Sequence, residues 1–323
     1  MVTTDASPGP AAVSEEDLDG LRRGLTGFCY RMLGDAHEAE DAAQETLVRL
    51  WQAADRFDPA RGSLRTWAYA AASRVCIDLH RRVQRRALPM DLTGPARPGT
   101  AIGEPEPERW VTPVADDRAV DPAETAVGRE SLRIALVVAL QRLSAQQRAV
   151  LLLRDVYGLS ARQTAEALGL GESATHSTLQ RARRALDPGD RGDALVDGAP
   201  VDTDLLERYR VAFEAHDVDL MRALLHEDVR NSMPPFSWWL DGREDVLEAF
   251  AQPGGCQGHR LVPFAASGTT MFGQYRPEGA VWVPFAVLGV EAEGGRVRRT
   301  ITWLDAAGRF AELGLPERLG STE

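Results

Sequence analysis

Proline limits this chain more than any other residue does. Seven of its nineteen prolines, Pro89, Pro95, Pro98, Pro105, Pro107, Pro113 and Pro122, fall in one stretch mixed with glycine and acids. Each fixes φ and lacks an amide hydrogen, so neither a helix interior nor a central strand runs through them. The stretch reads as an extended linker with no core of its own. Trp110 is its exception, because an aromatic residue in a linker marks a docking point. Asp187-Pro188-Gly189-Asp190 makes a second break and opens a Gly- and Asp-rich tract. The expected organisation of the 323 residues is therefore multidomain: 14–88, a linker 89–122, 123–187, a linker 188–201, and a last domain 202–316.

Periodicity assigns a fold class to each block. Residues 14–34, 36–55 and 63–86 read as helices. Ala39, Ala42, Ala43, Leu47, Leu50 and Trp51 form an apolar stripe in the second, and Leu64, Trp67, Ala68, Ala71, Val75 and Leu79 in the third. Helical pattern resumes over 123–143 and 146–157, followed by two short helices about the turn at Gly169–Gly171. The last block mixes helices at 203–216, 220–225 and 243–251 with strand-like runs near 260–265, 269–276, 280–291 and 295–304. The expectation is two all-α domains followed by an α+β domain whose antiparallel sheet curves into a cone.

Net charge is −11, which by itself argues against a nucleic-acid partner. Its distribution argues the other way. Residues 60–88 carry seven arginines against Asp78 alone, and 144–186 carry six arginines against three acids, whereas 15–58 and 201–323 are acidic. A phosphate-binding surface needs local positive charge only. All of that charge is arginine, the residue suited to forked contacts with phosphate and guanine, because the chain has no lysine. Three separated cysteines and six histidines offer no disulfide framework and no ligand spacing for a metal, so no metal and no cofactor are expected. No apolar run approaches the roughly 18 residues of a membrane span. The acidic start lacks the form of a signal peptide, so a cytoplasmic protein is expected.

Two constellations point to DNA. Ser160–Leu170 followed by Glu172–Leu186 fits a helix-turn-helix, with Ala165, Leu168, Leu170, Ala174, Leu179 and Ala182 as its small core. The outward residues of its second helix, Ser173, Thr175, His176, Thr178, Gln180, Arg181 and Arg184, would face a major groove. Read alone, the tract also fits a plain helical hairpin with a solvated basic face. The second constellation is Arg61, Arg65, Thr66, Trp67, Tyr69, Arg74, Arg81 and Arg82, with Arg85 and Arg86 beyond. Arginines interleaved with aromatic rings suit single-stranded DNA, charge following the backbone and rings stacking on unpaired bases. The bland counterpart is a basic helix whose Trp67 sits in the core.

These residues match a family. Tyr30-Arg31-Met32-Leu33-Gly34-Asp35-Ala36-His37-Glu38-Ala39-Glu40-Asp41-Ala42-Ala43-Gln44-Glu45-Thr46 resembles region 2 of the extracytoplasmic-function (ECF) group of the sigma-70 family. Arg65-Thr66-Trp67-Ala68-Tyr69 resembles that family's strand-separating helix. Leu143-Ser144-Ala145-Gln146-Gln147-Arg148-Ala149-Val150-Leu151-Leu152-Leu153-Arg154, with the helix-turn-helix, resembles region 4. The resemblance covers roughly 15–88 and 123–187. It implies that Glu38, Glu40, Asp41, Gln44 and Glu45 meet the clamp helices of core RNA polymerase, an acidic face on a basic one. The 61–86 helix would melt and read the −10 element of promoter DNA, the 172–186 helix would read the −35 element, and the 88–122 linker would thread through the polymerase. The chain departs from the family pattern at Ala70-Ala71, where Arg-Ile is usual, and at Arg74, where Asn is usual. His176 and Thr178 stand where basic residues are common.

The last block resembles the SnoaL-like, or nuclear transport factor 2-like, cone found fused to some of these factors, through Leu205–Ala215, Leu220–Arg230, Gly242–Val246 and Met233-Pro234-Pro235-Phe236-Ser237-Trp238-Trp239. That fold implies an apolar pocket, with Met233, Phe236, Trp238, Trp239, Tyr275 and Trp282 as candidate lining and a small ligand as candidate occupant. No acid–base pair at readable spacing stands out there, so the chain is read as no enzyme. The reading is thus a promoter-directing sigma factor whose acidic third domain contacts its own sigma domains and regulates them. The alternatives are a helix-turn-helix regulator that never meets core polymerase and a ligand-binding cone with a residual enzymatic role.

Overall fold

The computed structural model describes residues 13–60, 62–80, 86–121, 128, 130–187 and 201–320. Three helices open the chain, α1 (Glu15–Leu33), α2 (Ala36–Gln52) and α3 (Leu64–His80). The Ser14 hydroxyl accepts the Asp17 amide at 3.1 Å while the Asp17 carboxylate accepts the Ser14 amide at 3.0 Å, a reciprocal cap for α1. Asp35 caps α2 by accepting the Glu38 amide at 3.0 Å. Phe28, Cys29 and Met32 of α1, Ala39, Ala43 and Leu50 of α2, and Ala68, Ala72 and Val75 of α3 pack in one buried core. Trp51 does not join them: it is 57% exposed. Leu47 and Leu50 already complete the stripe, and residue 51 lies about 100° further round the helix.

The proline-rich stretch carries α4 (Asp116–Ala119), and the second unit holds α5 (Ile134–Gln141), α6 (Ala145–Leu151), α7 (Ala161–Leu168) and α8 (Glu172–Leu186). Of the helix expected over 123–143, residues 123–127 and 129 lie outside the described residues. The helix expected over 146–157 ends instead in a π turn, Leu152–Val156. Between α7 and α8, Gly169 takes φ +67°, the left-handed conformation that ends α7 with little strain for glycine. The third unit adds α9 (Thr203–Glu214), α10 (Val218–Leu224), α11 (Arg243–Ala251) and strands β1 (Leu225–Ser232), β2 (Trp239–Asp241), β3 (Arg260–Ala266), β4 (Thr269–Glu278), β5 (Val281–Glu293) and β6 (Arg296–Trp303).

The sheet order is β2-β1-β6-β5-β4-β3. It is mixed, correcting the antiparallel expectation, because β1 runs parallel to β6. Strand β1 escaped the pattern search because His226, Glu227, Asp228, Arg230 and Asn231 hide its alternation. Its buried positions are Leu225, Val229 and Ser232. One face of the sheet (Leu261, Phe272, Leu288, Val290, Val297) packs on Leu205, Phe213, Met221, Leu224 and Leu247 of the helices. The other face (Met271, Tyr275, Val287, Ile301, Trp303) joins the core of the first two units.

The proline-rich stretch corrects the sequence reading most. It has little regular structure, as expected, yet Leu88, Val111, Val114, Ala115 and Ala119 are buried in the same core as Phe28 and Trp303. Proline forbids helix and ladder, but it does not forbid burial when the remaining backbone groups find partners. Here they do. The Val111 amide donates to Ala87 O at 3.2 Å, Thr112 N to Gly34 O at 3.1 Å and Ser267 N to Val114 O at 2.8 Å. Gly27 of α1 permits the closest approach, since a Cβ there would lie 2.2 Å from Ala119 O.

Candidate nucleic-acid interface

Helix α3 presents the residues expected to handle single-stranded DNA. Arg65 donates to Asp121 at 2.7 Å and lies 5.3 Å over the Tyr69 ring. Thr66 N and Oγ1 meet the Ser63 hydroxyl at 3.1 and 2.9 Å. Trp67 is half-buried against Phe57, ring centroids 5.5 Å apart. Tyr69 is only 2% exposed, between Phe28 at 5.4 Å and Tyr157 at 4.2 Å. Arg74 is exposed, and its Nε donates to Ala167 O of α7 at 3.1 Å. A groove of about 280 Å³ runs beside Phe57, Thr66, Trp67 and Arg74 and is walled on its far side by Gln163, Glu166 and Ala167. Arg61, Arg81 and Arg82 lie outside the described residues, as does Arg85. Arg86 is no surface cation: it is 5% exposed and forks onto Glu38 at 2.6 and 2.8 Å.

Helix α8 divides the candidate recognition residues. Ser173, His176, Gln180, Arg181 and Arg184 are exposed on it. Thr175 and Thr178, expected outside, are 1% and 5% exposed. Thr175 Oγ1 donates to Gly171 O at 3.1 Å, and Thr178 Oγ1 accepts Arg181 at 3.0 Å. The first Thr closes the helix start and the second orients Arg181, so their hydroxyls serve the helix itself. Arg183 is held by Asp155 at 2.7 and 3.0 Å.

The acidic residues of α2 also divide. Glu38 answers Arg86, and Glu40 answers Arg118 at 3.1 Å. Asp41, Gln44 and Glu45 are exposed and line up with Val48 (45% exposed) and Trp51 (57%) along one helical face. An aromatic anchor rimmed by acids is the composition of a docking surface with a basic partner.

The candidate pocket residues have different surroundings. Tyr275 is fully buried, packs edge-on against Phe310 at 5.0 Å and donates to Pro316 O at 2.8 Å. Its phenol is pushed up to about 12 by burial. Trp282 lines a shallow depression of about 410 Å³ with Arg210, Glu214, His259 and Arg260. The Met233–Trp239 segment instead holds the proline-rich stretch. Met233 N donates to Trp238 O at 3.3 Å and Phe236 N to Met233 O at 3.1 Å, closing the segment's own turn. Phe236 pairs with Pro105. Trp238 Nε1 donates to Thr100 Oγ1 at 3.2 Å and Trp239 Nε1 to Thr93 O at 2.9 Å. Trp110, the expected docking point, donates its indole N–H to Pro235 O at 2.8 Å.

Sequence reasoning missed the side chains that join the helical units. Arg31, fully buried, donates to Ser131 Oγ at 2.7 Å, Gly128 O at 2.6 Å and Tyr157 Oη at 2.6 Å. Arg148, also buried, donates to Gln141 Oε1 at 2.7 Å and to Met32 O. The signal was present for Arg31: an arginine inside the apolar run Phe28–Leu33 is buried only if every donor is satisfied. Among the described residues, no group of three or more His, Cys, Asp or Glu is gathered closely enough to hold a metal ion. Among the same residues, no helix is long and apolar enough to cross a membrane.

Comparison with known proteins agrees with this geometry. The Sigma-70 region 2 model matches residues 19–86, and the Sigma-70 region 4 model matches 133–186. The ECF RNA polymerase sigma factor SigG of Mycobacterium tuberculosis is 37% identical over 307 residues, 92% of this chain and 82% of that protein. SigJ of the same species is 31% identical over 66% of this chain and 62% of its own length. A crystal structure of SigJ shares the fold, with a TM-score of 0.59 over 94% of this chain and 100% of that one at 23% identity. With both sigma modules in order on one chain and a relative matched over most of both chains, this protein belongs to the ECF RNA polymerase sigma factors of the sigma-70 family, which direct promoter-specific transcription initiation.

Proposed function

We propose that the chain carries core RNA polymerase to promoters through three distinct surfaces, and that residues 202–320 regulate it by gripping the segment between the two DNA-reading units. Asp41, Gln44, Glu45, Val48 and Trp51 dock on the polymerase clamp, with Glu38 and Glu40 holding the fold behind them. The face of α3 bearing Arg65, Thr66, Trp67, Tyr69 and Arg74 handles the opened −10 strand, and Ser173, His176, Gln180, Arg181 and Arg184 read the −35 duplex. In this reading the working units are 14–88, 123–187 and 202–316, with 89–122 as the hinge between the first two. Action in the cytoplasm follows from the partner.

The observation that carries the regulatory part is where the third unit sits. Trp303 Nε1 donates to Val111 O at 2.8 Å, Gly268 N to Asp116 Oδ1 at 2.8 Å, and Ala96 N to Trp239 O at 2.8 Å. These contacts all fall on the hinge, so whatever loosens them changes how the segment between the two DNA-reading units is held. The partners in these three bonds are an indole, two backbone amides, two carbonyls and the Asp116 carboxylate, with no arginine among them. A tether through 188–201 keeps the effective concentration of this domain on the order of millimolar. A catalytic role for the cone is not proposed: Phe213, Leu224, Leu261, Phe272 and Leu288 fill its interior, which supports a binding and packing role. The test is transcription in vitro with core polymerase and a genomic promoter library, comparing the full chain with one ending at residue 201. Output that changes in level or promoter choice supports regulation, and identical output refutes it.

A further inference from the structure

Two arginines of helix α8 are held inside the protein by chemically different partners. Arg183 donates Nε and Nη2 to the Asp155 carboxylate at 3.0 and 2.7 Å, so one side of its guanidinium is filled by the opposite charge. Arg181 donates Nη2 to Thr178 Oγ1 at 3.0 Å, and that acceptor is neutral. The two residues are three apart, a spacing at which side chains meet on a helix. They differ in freedom. Arg181 is exposed and long, whereas Thr178 is 5% exposed and β-branched, with few rotamers open to it. A stiff, buried hydroxyl thus gives a flexible surface cation a fixed point to rest on. Thr178 is also a position at which this chain departs from the motif it otherwise resembles, where basic residues are common. A cation there would repel Arg181; the threonine oxygen accepts from it.

We propose that Thr178 is a positioning residue, which holds Arg181 in one direction so that its guanidinium reads a guanine of the −35 duplex through a pre-formed fork. The proposal rests on the assignment of α8 to that duplex. Nη2 carries two hydrogens, and one of them goes to Thr178 Oγ1. The other, beside a hydrogen of Nη1, forms the parallel pair that guanine O6 and N7 accept. Because the hydroxyl is neutral, Arg181 keeps its full charge for DNA, which Arg183 beside Asp155 does not. Binding normally costs the rotamer freedom of a long side chain, and that cost falls when the side chain is already held. The restraint matters most for a base edge, whose acceptors lie in fixed directions, and least for a backbone phosphate, which carries no sequence information. Thr178 therefore acts on promoter choice through Arg181, without touching DNA itself.

The test presents the full chain, bound to core polymerase, with promoter duplexes randomised over the −35 element, and sequences the bound pool at two salt concentrations. Arg181→Ala identifies the base pair that Arg181 reads. Thr178→Val keeps the branched shape and removes the acceptor, and Thr178→Ser keeps the hydroxyl. Thr178→Ala removes the acceptor with a smaller side chain and serves if the valine variant does not fold. Thr178→Val is expected to lower the guanine preference at that one position by about three- to tenfold, the effect of releasing one long side chain. The salt slope should stay parental, since no phosphate contact is lost. Thr178→Ser should retain the preference, and Thr178→Val should add nothing once Arg181 is alanine. Parental preference without the hydroxyl, or an equal loss at every −35 position, overturns the positioning role. Parental preference at every position in Arg181→Ala overturns instead the assignment of α8 on which the proposal stands.

Discussion

Trp51 and Glu38 sit on one helix, and their surroundings give them opposite roles. Trp51 leaves most of its ring in water beside Val48, Asp41 and Glu45. Trp51→Ala is expected to weaken core polymerase binding by about 2 kcal/mol, near thirtyfold, with an unchanged melting temperature. Titration of the variant against core enzyme checks it, and parental affinity refutes the docking surface. Glu38 instead neutralises Arg86, which is 5% exposed. Glu38→Arg is expected to cost about 2 kcal/mol of folding stability, less than a fully buried pair because 31% of the Glu38 side chain meets solvent. Chemical denaturation reads that loss. His259 carries a pH signal of its own. It is buried beside Gln274 Nε2 at 2.8 Å, and burial, then Arg276, holds its pKa below the ordinary histidine value. The unfolded chain therefore takes up this proton first. The stability is fully present above about pH 6.5 and is lost as pH falls through the depressed folded value. Melting should drop between neutral and acid pH, and His259→Gln should flatten that slope; a parental slope in the variant rules His259 out.

Among the elements, α8 shows how far a face can be read from spacing alone. Ser173, His176, Gln180, Arg181 and Arg184 were placed outward correctly, because polar residues at helical spacing opposite Leu179 and Ala182 have nowhere else to go. Thr175 and Thr178 were misplaced, because a threonine suits either surface and only the packing of α6 and α7 buries them. Gln180→Ala and Arg181→Ala should each weaken promoter use by about 1–3 kcal/mol if they read bases in forked pairs. Arg184→Ala, nearer the helix end, should lower the salt slope by about one unit and leave promoter choice alone. Promoter activity measured across salt separates these cases, and indifference to all three substitutions would sink the assignment of α8. The strands teach a related lesson. β4, β5 and β6 are legible as strand-like runs between Gly-bearing turns, while β1 is not, since only its pairing with β6 tells which side of a polar run faces the core.

At the scale of the whole molecule, the unexpected feature is one core that crosses all three units, from Phe28 through Val111 to Trp303. Trp303→Ala is expected to leave the third domain folded but weaken its grip on the hinge, losing the bond to Val111 O and the indole's packing. The measurement is the rate of protease cleavage within 88–121, which should rise; cleavage at the parental rate would show that the grip lies elsewhere. Local spacing within each block was enough to determine the helical class of the first two units, the α+β class of the third and the outward Arg74, Arg181 and Arg184, while the sigma modules rested on a resemblance of whole motifs. Those properties follow from which side chains recur at a helix or strand period, and that information is contained in a few neighbouring residues. Tertiary structure alone decided that much of the proline-rich stretch is buried, that Glu38 and Glu40 pair with Arg86 and Arg118 while Trp51 faces out, and that α7 packs on α3. The physical reason is that burial of an arginine, a proline or a tyrosine depends on partners more than forty residues away, such as Arg31 with Tyr157 or Arg86 with Glu38. Periodicity along the chain does not encode those distances.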